Sequence, residues 1–272
     1  SFGDKAFSNV LQDLYYSEKQ MQSYIRGLMV SQIIWRQHTG PLKVFADQFL
    51  PEIKIGARYL EIGPGHGLWV ALAAETLVDP ALAGWDISPA SIAETQKSLA
   101  KMNVETKADL QIMDICDANA QVSETYDAIV ISQVLEIVSD PHAAVQTLAN
   151  HLDNDGKIFS NTPIRAAAPD HVRRWQSHEE VIELFKQAGL QVIQDWQFGT
   201  RAAAKIRQRS AHQRLFCEAR RGTAGARGAE GPRPTSSSRD SSKVLVFKNH
   251  VYSAEQTDLV LPCSKTYRLD EK

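Results

Sequence analysis

The glycine-rich stretch at residues 59–68 (YLEIGPGHGL) has the residue types and spacing that most directly indicate chemistry. A short apolar run ends in Glu61, and Gly63, Gly65 and Gly67 follow at intervals of two residues. This pattern predicts a buried strand that enters a tight turn and opens a helix. Glycines in such a turn let the backbone approach a ligand closely and adopt positive φ angles. The acid at the strand end suits a ligand that carries positive charge.

The spacing of these glycines differs from that of a dinucleotide-binding turn, whose third glycine comes three residues after the second. Leu68 occupies that position here. The pattern, an acid two residues before G-x-G-x-G, resembles motif I of the class I S-adenosylmethionine-dependent methyltransferases. The resemblance implies a Rossmann-like sheet, S-adenosyl-L-methionine as cofactor and methyl transfer as the activity. His66, between the last two glycines, is interpreted as a filler without chemical demand.

Acids follow two further predicted strands in the order that this family would require. Residues 81–86 form a short apolar segment that ends in Asp86, and a third segment ends at Asp114. In a Rossmann-like sheet the end of the second strand lies beside the cofactor ribose, and one carboxylate can accept hydrogen bonds from both ribose hydroxyls. The resemblance implies that Asp114 contacts the adenine amino group. The cofactor-binding residues expected on this basis are Glu61, Gly63, Gly65, Gly67, Asp86, Ile87, Asp114, Ile115 and Ser132.

The segment after the predicted fourth strand, residues 133–141 (QVLEIVSDP), resembles the V-L-E-H-V-x-D-P stretch of small-molecule methyltransferase families. Ile137 stands where those families often have histidine, so no base is expected at that position. Glu136 is kept, and bracing of the loop is a sufficient role for it. The chain also lacks an Asn-Pro-Pro-Tyr-like motif here, which disfavours adenine amines and protein glutamine amides as methyl acceptors.

A candidate base follows the predicted fifth strand, in a loop of the kind that often carries substrate contacts. His171 is able to take a proton at neutral pH, which makes it the expected catalytic residue. Asp170 could orient it, although adjacent residues of an extended chain point in opposite directions. An exposed loop histidine or a helix cap is the competing interpretation. Arg165, Arg173 and Arg174 are candidates for a substrate carboxylate or phosphate, or for a solvated helix face.

Composition narrows the class of protein. The 272 residues carry 30 Lys and Arg against 32 Asp and Glu, so the net charge of −2 gives no electrostatic footprint for nucleic acid. Cys116, Cys217 and Cys263 are widely spaced and match no metal-ligand pattern, which predicts reduced thiols and no metal. Since no apolar run approaches membrane-spanning length and no signal peptide is recognisable, a cytoplasmic protein without a membrane partner is expected. The oligomeric state stays open.

Alternating strand and helix patterns from residue 58 to about residue 220 predict an α/β fold, a mostly parallel sheet of seven strands with helices on both faces. The resemblance implies that this sheet is Rossmann-like and doubly wound and that its last strand, expected at residues 213–218, is antiparallel. The predicted organisation is an N-terminal helical lid at residues 1–57, a cofactor-binding domain at 58–220, a flexible Gly- and Arg-rich linker at 221–242 and a short segment of unknown role at 243–272. Tyr15, Tyr16, Tyr24, Trp35 and His38 are interpreted either as pocket-lining residues of the lid or as ordinary packing.

The function expected from these features is transfer of a methyl group from S-adenosylmethionine to an oxygen, nitrogen or carbon atom of a small-molecule acceptor. A second hypothesis is a methyltransferase for a macromolecule, with the tail as a tether to RNA or protein. A third is a cofactor-binding scaffold domain of a larger protein that transfers no methyl group. Because composition from residue 220 onward cannot drive folding, the tail is expected to be dispensable.

Overall fold

The computed structural model of the protein describes residues 8–9, 11–104, 107–117, 124–166, 168, 170–198, 218–219 and 242–250. Within these ranges the fold is α/β, with one mixed sheet of eight strands. The strands are β1 (Arg58–Ile62), β2 (Ala81–Asp86), β3 (Ala108–Ile112), β4 (Tyr126–Ser132), β5 (Leu152–Ile164), β6 (Val192–Phe198), β7 (Glu218–Ala219) and β8 (Ser242–His250). Their order in the sheet is β3-β2-β1-β4-β5-β8-β6, and β7 pairs with β8.

Six α-helices are described. They are α1 (Glu18–Ile34), α2 (Arg36–Val44), α3 (Leu68–Thr76), α4 (Pro89–Lys101), α5 (Pro141–His151) and α6 (His178–Gln187). Two single π-helical turns, Leu11–Tyr15 and Phe45–Phe49, and a 3₁₀ turn at Leu50–Glu52 complete the N-terminal part. Two of the helices between strands are capped by serine: the Ser88 side chain accepts from the Ser91 N–H at the start of α4, and Ser177 does the same for Glu180 at the start of α6.

β1 and β4 are parallel neighbours in the middle of the sheet. Between them, the direction in which the chain adds successive strands to the sheet reverses. From β1 the chain proceeds outward to β2 and β3, and it then returns to begin the other half with β4 and β5. Open α/β sheets bind ligands at this reversal, outside the carboxyl ends of the strands. The glycine turn follows β1 directly, so the fold places it at that position.

The core encloses both faces of the sheet and includes part of the N-terminal segment. Phe45 packs against Trp69 and Phe159 with ring centroids 4.7 and 5.5 Å apart, and Phe49 lies 5.3 Å from Phe159. All four side chains are at most 2 % exposed. Val44, Phe45, Phe49 and Leu50 therefore belong to the main hydrophobic core, and they attach the expected lid to the sheet domain at the carboxyl end of the lid.

The C-terminal half of the sheet differs from the sequence prediction. The strand between β5 and β6 is β8, which runs parallel to both of them. Antiparallel pairing is limited to the two-residue strand β7 against β8. The predicted α/β fold with a mostly parallel sheet is confirmed, whereas the described sheet has eight strands where seven were expected. Of the expected last strand at residues 213–218, only Glu218 lies within the described ranges, and there it belongs to β7, which is antiparallel to β8. A strand paired on both edges satisfies its backbone donors and acceptors, which local composition does not reveal.

The position of β8 predicts that the tail is not dispensable. A chain ending at residue 241 removes the backbone hydrogen bonds that β8 makes on both sides, and we expect it to lose about 3 kcal/mol or more of unfolding free energy. A chain ending at residue 250 keeps β8 and serves as the matched control. Thermal and urea unfolding of both lengths measure the effect. Equal stability of the 241-residue chain and the full chain would contradict the placement of this strand between β5 and β6.

Candidate active site

The glycine turn after β1 is held in a conformation that favours glycine. Gly63, Gly65 and Gly67 have φ angles of 65°, 45° and 71°. A Cβ on Gly63 would lie 2.7 Å from Cγ2 of Val134, so that glycine is required by packing against the loop after β4. A Cβ on Gly65 would meet no atom nearer than the Gly63 carbonyl oxygen at 3.8 Å. The turn therefore borders open space at Gly65, where a side chain would fill the cradle.

Glu61 lies beneath this turn and is only 3 % exposed. Its carboxyl accepts hydrogen bonds from the Tyr59 hydroxyl, at 3.4 Å, and from the Val70 backbone. Burial raises the pKa of Glu61 well above its ordinary value, and the two hydrogen bonds oppose that shift. In the described structure Glu61 thus connects β1 to the first turn of α3.

His66 has a structural role that the sequence interpretation missed. Helix α3 begins after Gly67, which has no side chain to cap it. Nδ1 of His66 accepts a hydrogen bond from the Leu68 N–H at 3.1 Å and supplies the missing cap. Burial lowers the pKa of His66 to about 4, so the imidazole is neutral and able to accept. In the sequence, a glycine at the N-cap position of the helix with a histidine directly before it could have indicated this capping role.

Asp86 ends β2 with its carboxylate 9 % exposed. Oδ1 accepts from the Ser88 N–H at 2.9 Å, and Oδ2 accepts from the Ser91 hydroxyl at 2.6 Å. Each oxygen keeps a further lone pair for another donor. Burial raises the pKa of Asp86 to about 6, although both hydrogen bonds favour the ionised form. The start of α4 therefore fixes this carboxylate at the strand end.

The remaining residues expected at the cofactor lie at the same edge of the sheet. Asp114 follows β3 and accepts from the Cys116 N–H at 2.8 Å, which closes a turn. Ile115 is buried, whereas Ile87 is half-buried after β2. Ser132 ends β4, and its hydroxyl accepts from Nδ2 of Asn161 at 3.1 Å. The sheet thus brings the ends of β2, β3 and β4 together as predicted.

Two tyrosines and two acids form a buried polar group over this edge, called here the tyrosine–carboxylate cluster (Tyr15, Tyr24, Glu136 and Asp170). The Tyr24 hydroxyl donates to Oδ2 of Asp170 at 2.6 Å, and the edge of one tyrosine ring faces the other at 6.4 Å. Glu136 is 1 % exposed, and its Oε2 has no hydrogen-bond partner among the described residues. An unpartnered buried carboxyl oxygen is costly, so it indicates a place for a ligand donor.

The loop after β5 assembles this cluster. The Val172 and Arg173 N–H groups both donate to the Glu136 carbonyl oxygen, at 2.9 and 2.8 Å. These bonds hold the two loops together and bring Asp170 close to Glu136. Burial, and to a smaller extent the charge of Asp170, raise the pKa of Glu136 well above its ordinary value. The backbone carbonyl of Glu136 therefore holds the loop after β4 against the loop after β5, and the side chain takes no part in these two hydrogen bonds.

His171 is half-buried, and its described contacts lie within its own loop. Nδ1 is 3.4 Å from the Ala166 carbonyl oxygen. Asp170, expected to orient this ring, instead accepts from Tyr24. The arginines of the loop also make local contacts: Nε of Arg165 donates to the Gln176 carbonyl, Nε of Arg174 donates to the Arg165 carbonyl, and the Arg173 guanidinium lies 5.2 Å from the Trp175 ring. All three arginines lie in the loop between β5 and α6, so the alternative of a solvated helix face does not describe them.

The N-terminal helical segment covers this site. The Ser88 hydroxyl donates to the Tyr15 carbonyl oxygen, and Met21 and Ile25 of α1 form a small core with Tyr15 and Ala90 of α4. Ile137 packs against the same small core. Ile137, which stands in place of the family histidine, thus makes an apolar contact with the N-terminal helical segment, and this contact explains why the residue is apolar.

The described part of the chain contains neither a helix able to span a membrane nor a cluster of side chains able to hold a metal ion. None of its helices combines the length and the apolar composition that crossing a bilayer requires. Among the same residues, no group of three or more His, Cys, Asp or Glu side chains is arranged to hold a metal ion.

The family of the chain follows from a comparison of sequences. The profile of a family described as "Methyltransferase domain" matches residues 34–195, which is more than half of the chain. The chain belongs to this methyltransferase family. The match agrees with the motifs, which predicted a class I, S-adenosylmethionine-dependent methyltransferase domain. The open cradle at Gly65 and the fixed carboxylate of Asp86 fit that cofactor.

Curated relatives of the methyltransferase include proteins named "Ubiquinone biosynthesis O-methyltransferase" from Xanthomonas axonopodis pv. citri (strain 306) and Xanthomonas oryzae pv. oryzae (strain PXO99A). Each is 27 % identical over 113 residues, covering 42 % of this chain and 46 % of the relative. The matched segment thus spans less than half of the length of these relatives.

Solved structures support the fold. The structure titled "PigF with SAH" is 15 % identical, with a TM-score of 0.54 over 67 % of this chain and 56 % of that one. An O-methyltransferase family protein from Burkholderia thailandensis is 10 % identical, with a TM-score of 0.52 over 63 % of this chain and 54 % of that one. At such low identity these similarities bear on the architecture alone.

Proposed function

We propose that the methyltransferase transfers the methyl group of S-adenosylmethionine to a hydroxyl oxygen of a small molecule, with Glu136 as the base. The observation that carries this proposal is the buried Oε2 of Glu136, which lacks a partner in the described structure. The curated relatives, named as O-methyltransferases, support oxygen as the acceptor atom. The near-neutral net charge favours a small molecule over a nucleic acid.

The residues of the chain divide the work between cofactor and acceptor. Asp86 accepts from the ribose hydroxyls, Gly65 lets the backbone approach the cofactor, and Asp114 lies at the adenine end. Glu61, Gly63 and Gly67 support the turn, while Ile87, Ile115 and Ser132 line the adjoining strand ends. Tyr15 and Tyr24 close the site from above and exclude water. The cluster therefore lies where an acceptor would meet the cofactor.

A hydroxyl acceptor must lose its proton when its oxygen attacks. When bound, S-adenosylmethionine supplies a methyl group on a positively charged sulfur. The acceptor O–H proton moves to Oε2 of Glu136 as the new oxygen–methyl bond forms and the sulfur–methyl bond breaks. Because its pKa is raised, ionised Glu136 is a stronger base than an ordinary carboxylate. Tyr24 keeps Asp170 in place beside it.

His171 is the alternative base, as the sequence predicted. Its half-buried ring lies in the loop that supplies Asp170, and a shift of that loop on acceptor binding would bring it to the site. The rates of methyl transfer by the Glu136→Gln and His171→Gln variants, measured side by side, distinguish the two candidate bases. Loss of activity in the histidine variant alone would assign the base to His171.

The acceptor class is tested with methyl-labelled cofactor and a fractionated cell extract. The proposal expects label in small molecules, attached to oxygen, when the fractions are examined by mass spectrometry. Label in the RNA or protein fraction would favour the macromolecule hypothesis. Binding of S-adenosylhomocysteine without any labelled product would favour the scaffold hypothesis.

Asp86→Ala tests the ribose contact. Removing an acceptor that serves two hydroxyls costs roughly 1–3 kcal/mol, so we expect calorimetry to show cofactor binding about fivefold to 150-fold weaker. Asp86→Asn, which keeps the shape and an acceptor oxygen, should lose less. Unchanged affinity in the alanine variant would remove Asp86 from the cofactor site.

The pH dependence of cofactor binding provides an independent test of this carboxylate. Its pKa of about 6 lies above the ordinary value of 3.8, so the folded protein favours the neutral acid. In the absence of ligand, the contribution of Asp86 to the free energy of unfolding therefore falls as the pH rises from 3.8 to about 6. Cofactor affinity should rise over the same range because the carboxylate is the better acceptor. A flat calorimetric profile between pH 5 and pH 7, roughly one unit on either side of that pKa, would contradict the assignment.

A further inference from the structure

The outer face of α1 changes character along its length. Its early turns carry Lys19, Ser23 and Arg26, which are exposed and polar, as is usual for a surface helix. The last turns carry Val30, Ile33 and Ile34, which are 54, 78 and 65 % exposed. At helical spacing these residues lie opposite the buried Met21, Ile25 and Gln32. Solvent therefore meets apolar side chains on the face where a helix normally has polar ones.

Trp35 extends this surface. It directly follows α1, is 45 % exposed, and rests its ring against the edge of His38 at 5.4 Å. The four exposed side chains, Val30, Ile33, Ile34 and Trp35, are called here the apolar tip. An exposed contiguous apolar patch of this kind marks an interaction site more often than single scattered residues do.

The charge around the apolar tip points to the occupant. Between Glu18 and Asp47 the chain carries four cations, Lys19, Arg26, Arg36 and Lys43, and no acid, although the whole chain has a net charge of −2. Of these cations, Lys43 forms an ion pair with Asp47. Arg26 and Arg36 are exposed on either side of the tip. A second copy of this surface would bring like charges together. Four side chains are also few beside the roughly 20–30 residues a side of a stable protein interface.

We infer that the apolar tip of α1 docks the protein on an anionic lipid bilayer surface. Aliphatic side chains would enter the boundary of the acyl chains, Trp35 would lie at the headgroup level, and the two arginines would face lipid phosphates. No membrane-spanning helix is needed for such peripheral binding, so the inference departs from the sequence expectation of no membrane partner. It stands apart from the proposed acceptor chemistry, because none of these residues belongs to the active site.

Co-sedimentation of the full chain with vesicles tests the inference. The protein should bind vesicles of phosphatidylcholine mixed with phosphatidylglycerol, and bind phosphatidylcholine alone much more weakly. Ile33→Asp should lower partition to anionic vesicles by at least about tenfold, because it places a charge in the apolar boundary. Ile55→Asp is the matched control, since Ile55 is 75 % exposed but precedes β1 at the opposite edge of the sheet. Replacing Arg26 and Arg36 by Gln should weaken binding to anionic vesicles selectively.

A second measurement does not depend on the folding of the aspartate variant. Vesicles containing brominated lipid should quench part of the fluorescence of the five tryptophans, and Trp35→Phe should abolish that quenching. Absence of vesicle binding by the wild-type protein, or equal binding by Ile33→Asp, would overturn the inference. A concentration-dependent dimer that Ile33→Asp dissociates, without vesicle binding, would overturn it in favour of a second copy.

Discussion

Replacing Glu136 by glutamine is expected to lower the rate of methyl transfer by about a hundredfold or more, the range typical for loss of a general base. The cofactor affinity should stay close to that of the wild type, because the glycine turn and Asp86 are unchanged. The amide keeps the shape of the side chain while removing its ability to take a proton. Single-turnover rates and calorimetric titration together measure the two effects.

Stability separates this chemical role from a structural one. The described structure gives Oε2 of Glu136 no partner, so the neutral amide should leave the melting temperature unchanged or raise it. Glu52→Gln is the matched control, since Glu52 pairs with Lys157 on the surface at the amino ends of the strands. A Glu136→Gln variant that melts normally and transfers methyl at the wild-type rate would remove Glu136 from the mechanism.

Replacing Gly65 by valine is expected to weaken binding of S-adenosylhomocysteine by at least about a hundredfold, equivalent to about 2.7 kcal/mol or more. The valine side chain would enter the open space beside the turn, where no protein atom would clash with its Cβ. The loss should therefore come from the cofactor cradle. Calorimetry of the folded variant gives the affinity directly.

Gly56 provides the matched control for backbone strain. It has a φ angle of 69°, and a Cβ there would also meet open space, but it precedes β1 at the other edge of the sheet. Valine at either position costs of order 1–3 kcal/mol of unfolding free energy, because a β-branched residue disfavours positive φ. Only the Gly65 variant should lose the cofactor. Equal binding by both variants would refute the assignment of the turn.

Features encoded locally could be predicted from the sequence. The apolar run before Glu61, the glycine spacing and the acids at 86 and 114 identified the first strands and the edge at which they meet. Each of these signals lies within a few residues of the strand end that it marks, and the Rossmann-like order then follows from the alternation of strands and helices. The family and the cofactor were accordingly correct before any tertiary contact was known.

Features that depend on distant partners could not be predicted. Tyr24 and Asp170 are 146 residues apart in the chain, and nothing in the local pattern of either indicates their hydrogen bond. The segment of unknown role at residues 243–272 contains most of β8, whose place between β5 and β6 depends on the backbone groups of those two distant strands. Ile137 was noted as a departure from the family, and only its contact with the helical cover gives the reason.

The most direct test of the active-site assignment is the single-turnover rate of methyl transfer as a function of pH, for the wild type and for Glu136→Gln, with a hydroxyl acceptor found in the labelled extract. Because ionised Glu136 takes the acceptor proton, the wild-type rate should rise with pH through one titration that lies above the ordinary range of a carboxyl group. The glutamine variant should be slow and should lack that titration. Identical pH profiles for the two proteins would contradict the assignment of the base.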